Sequence, residues 1–199
     1  MKKMDFESLS LTIFPEVYPP SEDSFLLAKH SKTLKGKILD IGCGCGIQSL
    51  INAKNNPENK ILGIDKSKIA VENSIFNANS NNLKNAKFLE SDLFSNVSGT
   101  FDAIIFNPPY LPTSEKEVLN SVENLAYDGG EDGRKVLDIF LNKFSDYLNK
   151  KGTLLLLHSS LNNPEKTIEF LDSMSFSTSI LSRESFFFEK LFVIKSTRR

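Results

Sequence analysis

Short runs of β-branched and apolar residues, each ending in a turn, alternate with longer segments whose apolar residues recur every three to four positions. Ser21 followed by Glu22 and Asp23 has the form of a helix start, with Phe25, Leu26 and Leu27 as its buried face up to about Leu34. A strand is expected at 37–41, a helix from Ile47 to about Lys54, a strand at 60–65, and a helix at 68–79 with Ile69, Val71, Ile75 and Phe76 inward. Strands follow at 86–90 and 101–106. Asp132 is placed to cap a long helix over 133–149, because Val136, Leu137, Phe140, Leu141, Phe144 and Leu148 keep helical spacing. A strand at 152–158 and a helix at 164–174, opened by Pro164, come next. Two closely spaced strands at 177–183 and 186–195 have the form of an antiparallel hairpin. Within it Phe186, Phe187 and Phe188 are assigned to the core in preference to a partner surface.

Strands alternating with helices specify a mostly parallel sheet covered on both faces, a three-layer, doubly wound α/β fold with seven strands and a terminal antiparallel hairpin. Nothing resembling a linker or repeat divides residues 1–199, so one domain is expected, with 1–36 as an N-terminal helical extension. In sheets of this kind ligands bind beyond the carboxyl ends of the strands. The chemistry is therefore expected after Ile41, at Asp65, near Asp92 and after Phe106.

Composition narrows the partners. The 24 basic and 25 acidic residues leave a net charge of −1, which offers no electrostatic footprint for nucleic acid or an anionic membrane. The longest apolar run, Leu154 to Leu157, is far short of a membrane span, and the polar N-terminus lacks the apolar stretch of a signal peptide. Cys43 and Cys45 stand one residue apart, too close for an ordinary disulfide. A reduced, cytoplasmic, soluble protein is expected. A metal site would need those cysteines together with His30 and His158, which lack ligand spacing, so no metal is assigned.

Asp40-Ile41-Gly42-Cys43-Gly44-Cys45-Gly46 joins a strand to a helix. Glycines there let backbone approach a ligand closely. Ile47 breaks the dinucleotide fingerprint, and an acid two residues before Gly-x-Gly-x-Gly is instead the loop form of S-adenosylmethionine (SAM) enzymes. Such a cofactor asks for carboxylates. Asp65 is placed to accept both ribose hydroxyls, Asp92 the adenine amine, and Asp40 to balance the methionine ammonium.

Asn107-Pro108-Pro109-Tyr110 follows the fourth expected strand, 65 residues after Gly42. Two prolines stiffen the loop, so the Asn107 side-chain oxygen and the Pro108 carbonyl can converge on one NH₂ group borne by a planar carbon. Tyr110 can stack on that plane. Accepting both N–H hydrogens positions a weak nucleophile and favours the charge that develops on it.

With these motifs on view, the sequence resembles a class I SAM-dependent methyltransferase of the HemK family, in the short archaeal and eukaryotic branch that methylates the Gly-Gly-Gln glutamine of class I peptide release factors. The resemblance also rests on Val17 to Leu27, Gly129-Gly130-Glu131-Asp132-Gly133-Arg134 and Leu181-Ser182-Arg183. It implies a seven-stranded Rossmann-like methyltransferase sheet, and a cofactor contacted by Ser24, Asp40, Gly42, Asp65, Asp92, Leu93 and Asn107, with Gly44 and Gly46 completing the loop. Asn107, Pro108, Pro109 and Tyr110 are the implied substrate contacts. It further implies a small zinc-binding activator protein, forming a heterodimer along the edge strand at 86–90. Lys66-Ser67-Lys68 departs from the usual apolar residue and proline. Methylation of a DNA or RNA base amine, methylation of a protein lysine, and a catalytically silent partner subunit are the alternatives. A basic cleft is lacking for the first, and a base beside Asn107 for the second.

Overall fold

A computed structural model describes residues 1–113 and 128–199. The chain opens with a hairpin of β1 (Lys2–Phe6) and β2 (Leu9–Ile13), then α1 (Glu22–Ser31). The stretch before residue 37 is therefore half strand, which corrects the reading of it as helical. The alternation continues through β3 (Lys37–Ile41), α2 (Ile47–Asn55), β4 (Lys60–Asp65), α3 (Lys68–Ser80), β5 (Ala86–Glu90) and β6 (Phe101–Phe106). After α4 (Lys135–Leu141), β7 (Leu148–Ser159) and α5 (Pro164–Ser173), the chain ends in β8 (Phe176–Ser185) and β9 (Lys190–Arg198).

Seven strands form one sheet in the order β5-β4-β3-β6-β7-β9-β8, parallel except for β9, which runs against both β7 and β8. Side chains alternate between its faces. Ile38, Ile61, Ile105 and Leu155 pack with Leu26 and Leu27 of α1, whereas Leu39, Ile64, Ile104 and Leu154 pack with Leu137 and Phe140 of α4 and Leu171 of α5. The chain leaves β3 for β4 and β5 on one side and returns to β6 on the other. Ile41 and Phe106 end as register partners, so the loops after them lie side by side at the topological switch point.

Three elements differ from the sequence reading. The expected long helix over 133–149 stops at Leu141, tightens into a 3₁₀ turn at Phe144–Tyr147 and becomes β7 at Leu148, which pairs with Phe101. Phe140, Phe144 and Leu148 are buried regardless, since a 3₁₀ turn delivers apolar residues to one side nearly as an α-helix does. The inner face of α3 is half polar, with Val71 buried as expected beside Ala70 and Ala78. Ile75 and Phe76 are exposed, and Asn73, Ser74 and Asn77 are buried. Lastly, Phe186, Phe187 and Phe188 lie in the turn between β8 and β9, exposed and outside the core.

The polar face of α3 has a structural purpose. Asn73, Asn77 and Asn81, spaced four apart, fall on one side of the helix. Their amides bond the open edge of β2: Asn81 and Ser10 exchange bonds of 3.1 and 2.8 Å, Asn77 and Thr12 bonds of 2.9 and 3.0 Å, and Asn73 accepts from Phe14 N at 2.9 Å while donating to Thr12 O at 2.7 Å. Side-chain amides thus replace a neighbouring strand and satisfy an edge that would otherwise be unpaired. Asn77→Ala also loses the bond to Cys45 O. We expect it to cost about 1–3 kcal/mol and to lower Tm by roughly 3–10 °C; an unchanged melting curve would show that the ladder contributes nothing to stability.

Candidate active site

A cleft of about 380 Å³ opens at the carboxyl ends of β3, β4 and β6. Its floor is the loop after β3, where Gly42, Gly44 and Gly46 all take positive φ. At Gly44 a Cβ would meet nothing within 4 Å, so the bare backbone faces open cleft. Gly46 differs. It does not line the cleft, and a Cβ there would press on Ser74 Oγ at 3.1 Å and Leu50 Cδ1 at 3.3 Å, so its lack of a side chain serves packing against α3.

The carboxylates divide in the same way. Asp65 lies in the wall, accepting Gly44 N at 2.9 Å and Ser67 N at 2.8 Å, and burial raises its pKa. Asp92 lines the cleft and pairs with Lys66 at 2.7 Å, so the departure at Lys66 places an ammonium on the carboxylate assigned to the adenine amine. Leu93 beside it adopts φ +47, an uncommon backbone state for a branched residue. Asp40 does not reach the cleft. It is buried beneath the loop and accepts the Ser49 N–H at 3.0 Å and O–H at 2.6 Å, holding the start of α2. The carboxylate expected to balance the methionine ammonium thus stands in the layer beneath the loop.

Asn107, Pro108, Pro109 and Tyr110 line the cleft after β6, as does Ser24 at the start of α1. The loop is clamped from behind by the glycine-rich segment. Gly129 N donates to Leu111 O at 3.0 Å, and a Cβ on Gly133 would fall 2.3 Å from Tyr110 O. Arg134 anchors that segment, donating to Asn162 O, Asn163 O, Thr167 Oγ1 and Asp138 at 2.6–3.0 Å.

Two contributors escaped the sequence reading as site residues. Asp23 accepts Asn107 Nδ2 at 2.9 Å, and also the Tyr18 hydroxyl at 3.1 Å and the Ser24 amide at 2.5 Å. It is a carboxylate directly beside Asn107, where none was expected. With its nitrogen committed, Asn107 leaves Oδ1 buried and without a hydrogen-bond partner among the described residues. Gln48 does the same: its Nε2 donates to Ser24 O at 3.0 Å and its Oε1 is buried and unpartnered. The hint for Asp23 lay in the Pro-Pro-Ser-Glu-Asp-Ser segment, but a hydrogen bond across 84 positions cannot be read from spacing.

Burial drives the Cys45 thiol up to about 12 and Cys43 higher than its ordinary value, so both stay protonated as small packing groups. Among the described residues no group of three or more His, Cys, Asp or Glu side chains is arranged to hold a metal ion, and no helix is long and apolar enough to cross a membrane.

Residues 21–180 match the methyltransferase small domain family. A Methanocaldococcus jannaschii protein, provisionally named a protein N5-glutamine methyltransferase, is 45% identical over 98% of this chain and 98% of its own length. The release factor glutamine methyltransferase of Buchnera aphidicola is 31% identical over 79% of the chain, which spans only 60% of that protein. Among solved structures, the E. cuniculi Mtq2–Trm112 complex, described as methylating the eRF1 translation termination factor, superposes with a TM-score of 0.71 at 24% identity, covering 92% of this chain and 99% of that one. The chain belongs to the methyltransferase small domain family, and its nearly full-length kinship with the M. jannaschii protein sets it on the short HemK branch.

Asp40 provides a test of the buried layer under the cleft. Burial, reinforced by Asp65, raises its pKa to about 7 despite the two bonds from Ser49. Between pH 4 and 7 the folded protein keeps a proton that the unfolded chain has lost, so this group subtracts stability as pH rises and levels off above 7. Buried His158, held down to about 4, acts with the opposite sign, but equally in both proteins compared. The Tm of Asp40→Asn minus that of the native chain should therefore climb by several degrees from pH 5 to pH 8. A difference independent of pH would mean that Asp40 is ionised throughout.

Proposed function

We propose that this chain transfers a methyl group from SAM to the side-chain nitrogen of the glutamine in the Gly-Gly-Gln loop of a class I peptide release factor. The observation that carries the reading is the Asn107 oxygen: buried, unpartnered, and fixed in orientation because Asp23 holds the other end of the amide. An orphaned acceptor in a cleft wall calls for a donor from a ligand, and a carboxamide NH₂ provides one.

The donor set suits the cofactor. Glu16, Asp23, Asp65, Asp92, Asp128 and Glu189 face the cleft against two lysines, Lys66 and Lys135, which favours a cationic ligand. Bound SAM supplies an electrophilic methyl carried on sulfonium. Asp65 and Asp92 orient the nucleoside, Gly42 and Gly44 admit it close to backbone, and Ser24 contacts its amino-acid end. Asn107 Oδ1 and the Pro108 carbonyl accept the two N–H hydrogens of the acceptor, while Pro109 and Tyr110 confine its plane. These contacts strengthen as positive charge develops on the nitrogen, so they act chiefly in the transition state. The same acidic lining opposes nucleic acid, whose affinity comes mainly from phosphate contacts.

We assign a small zinc-binding activator to the free edge of the sheet. Among the described residues β5 has a strand neighbour only in β4, and Leu89 on it and Ile75 on adjacent α3 are exposed, which supports strand addition there. Phe88 is half-buried: its ring packs over Gly63 and also lines a surface hollow beside Ile75. Enzyme, activator and release factor would meet in the cytoplasm.

Methylation of lysine is the second reading, favoured by Asp23 beside Asn107, where a carboxylate could hold an ammonium. Labelled SAM incubated with release factor, and with a release factor whose Gly-Gly-Gln glutamine is replaced, decides between them. Label on the first alone supports the glutamine reading; label on both, resistant to that replacement, rejects it. Asn107→Ala should lower kcat about 100-fold or more with little change in Tm. Asp23→Ala, which frees the amide to turn, should lower kcat roughly 10- to 100-fold while Kd for SAM changes less.

A further inference from the structure

The turn between β8 and β9 carries three consecutive phenylalanines that no role so far explains. Phe187 is 93% exposed, Phe188 84% and Phe186 37%. The rings of Phe187 and Phe188 meet edge to face at 4.6 Å, forming one small aromatic knob. Exposing two whole phenylalanine rings to water is unfavourable, and such a patch commonly marks a contact surface.

Its position is fixed. β9 runs against β7 with Leu191 opposite Ser159, which puts the turn beyond the carboxyl end of β7, on the cleft side of the sheet. Ser159 Oγ donates to Glu189 Oε2 at 2.5 Å, Lys190 N donates to Ser160 Oγ at 3.0 Å, and Phe186 N closes the turn on Glu189 O at 2.8 Å. Glu189, next to Phe188 in the chain, lines the cleft. Leu191 shares its apolar cluster with Tyr110 of the acceptor loop. The knob is thus a tethered extension of the cleft's lip.

We infer that Phe187 and Phe188 dock the protein that presents the acceptor glutamine, gripping its surface outside the loop that enters the cleft; this rests on the methylation reading above. Three observations select that occupant. The knob is continuous with the wall that must receive a macromolecular acceptor. Two phenylalanine side chains, at roughly 150–250 Å² each, fall well short of the ~800 Å² per partner that a stable dimer buries, but they suit the aromatic anchors of a larger interface. In the sequence flanking the knob Arg183 and Lys190 are matched by Glu184 and Glu189, and Lys29 sits on Glu184 at 3.7 Å, so no run of basic residues draws it to an anionic bilayer.

The test measures steady-state methylation of intact release factor by the full chain and by Phe187→Ser/Phe188→Ser. We expect KM to rise roughly 10- to 100-fold, with kcat, the Kd for SAM and Tm unchanged. Phe187→Leu/Phe188→Leu, which keeps apolar area, should recover most of the loss. An unchanged KM in a native chain that does label the Gly-Gly-Gln glutamine overturns the docking inference alone. Failure of the native chain to label that glutamine, with the zinc-binding activator present as well as without it, overturns the methylation reading and the inference with it. Phenylalanine-dependent binding to phosphatidylcholine vesicles, or a phenylalanine-dependent dimer mass in solution, with KM unmoved, would assign the knob to a membrane or a second copy and equally overturn it.

Discussion

A primary amide has two ends, and the Asp23–Asn107 hydrogen bond decides which of them meets the ligand. Asn107 could otherwise rotate and present a donor where an acceptor is required. At 2.9 Å, Asp23 takes the nitrogen and leaves the buried oxygen as the end without a partner among the described residues. Asp23 is itself held by Tyr18 and by the Ser24 amide, so the orientation of one side chain at the end of β6 depends on the segment that leads into α1. That segment stays in place because the β1–β2 hairpin before it is bonded to α3 through asparagine amides. A substitution in the hairpin should thus be felt at the site through backbone placement rather than contact.

The cleft is also shaped by what lacks a side chain. Gly44 leaves bare backbone facing a ligand, Gly46 allows α2 to approach α3, and Gly133 lets one loop lie against the Tyr110 carbonyl. Each is a close approach that alanine would obstruct or strain. Arg134 then ties the loop behind the acceptor wall to the turn preceding α5. The described walls of the cleft are thus held by close packing and hydrogen bonds, and fixed dipoles are what stabilise a developing charge.

Two surfaces lie outside this frame and face opposite ends of the sheet. The β5 edge, with Leu89 and Ile75 exposed beside it, is suited to pairing by main-chain hydrogen bonds. The β8–β9 turn is suited to anchoring by side chains. Their separation means that an activating partner and a protein substrate need not compete.

The alternation of apolar runs determined the order of strands and helices from β3 to β6 nearly to the residue, because the inner strands of a parallel sheet are buried on both faces and are therefore mostly apolar. The glycine loop, Asp65, Asp92 and Asn107-Pro108-Pro109-Tyr110 were likewise legible, since their chemistry depends on residue type at strand ends. What needed the tertiary structure was every decision in which polar groups find each other over distance. Asn73, Asn77 and Asn81 form a poor helix face until β2 offers them an edge. Asp40 sits at a strand end like Asp65, yet the Ser49 hydroxyl and amide claim it beneath the loop. Phe186 to Phe188 fit a strand pattern as well as any core segment, and only the register of β8 on β9 places them in a turn. Periodicity records which residues leave water; hydrogen-bond partners and register are settled by geometry between segments, which a linear pattern does not contain.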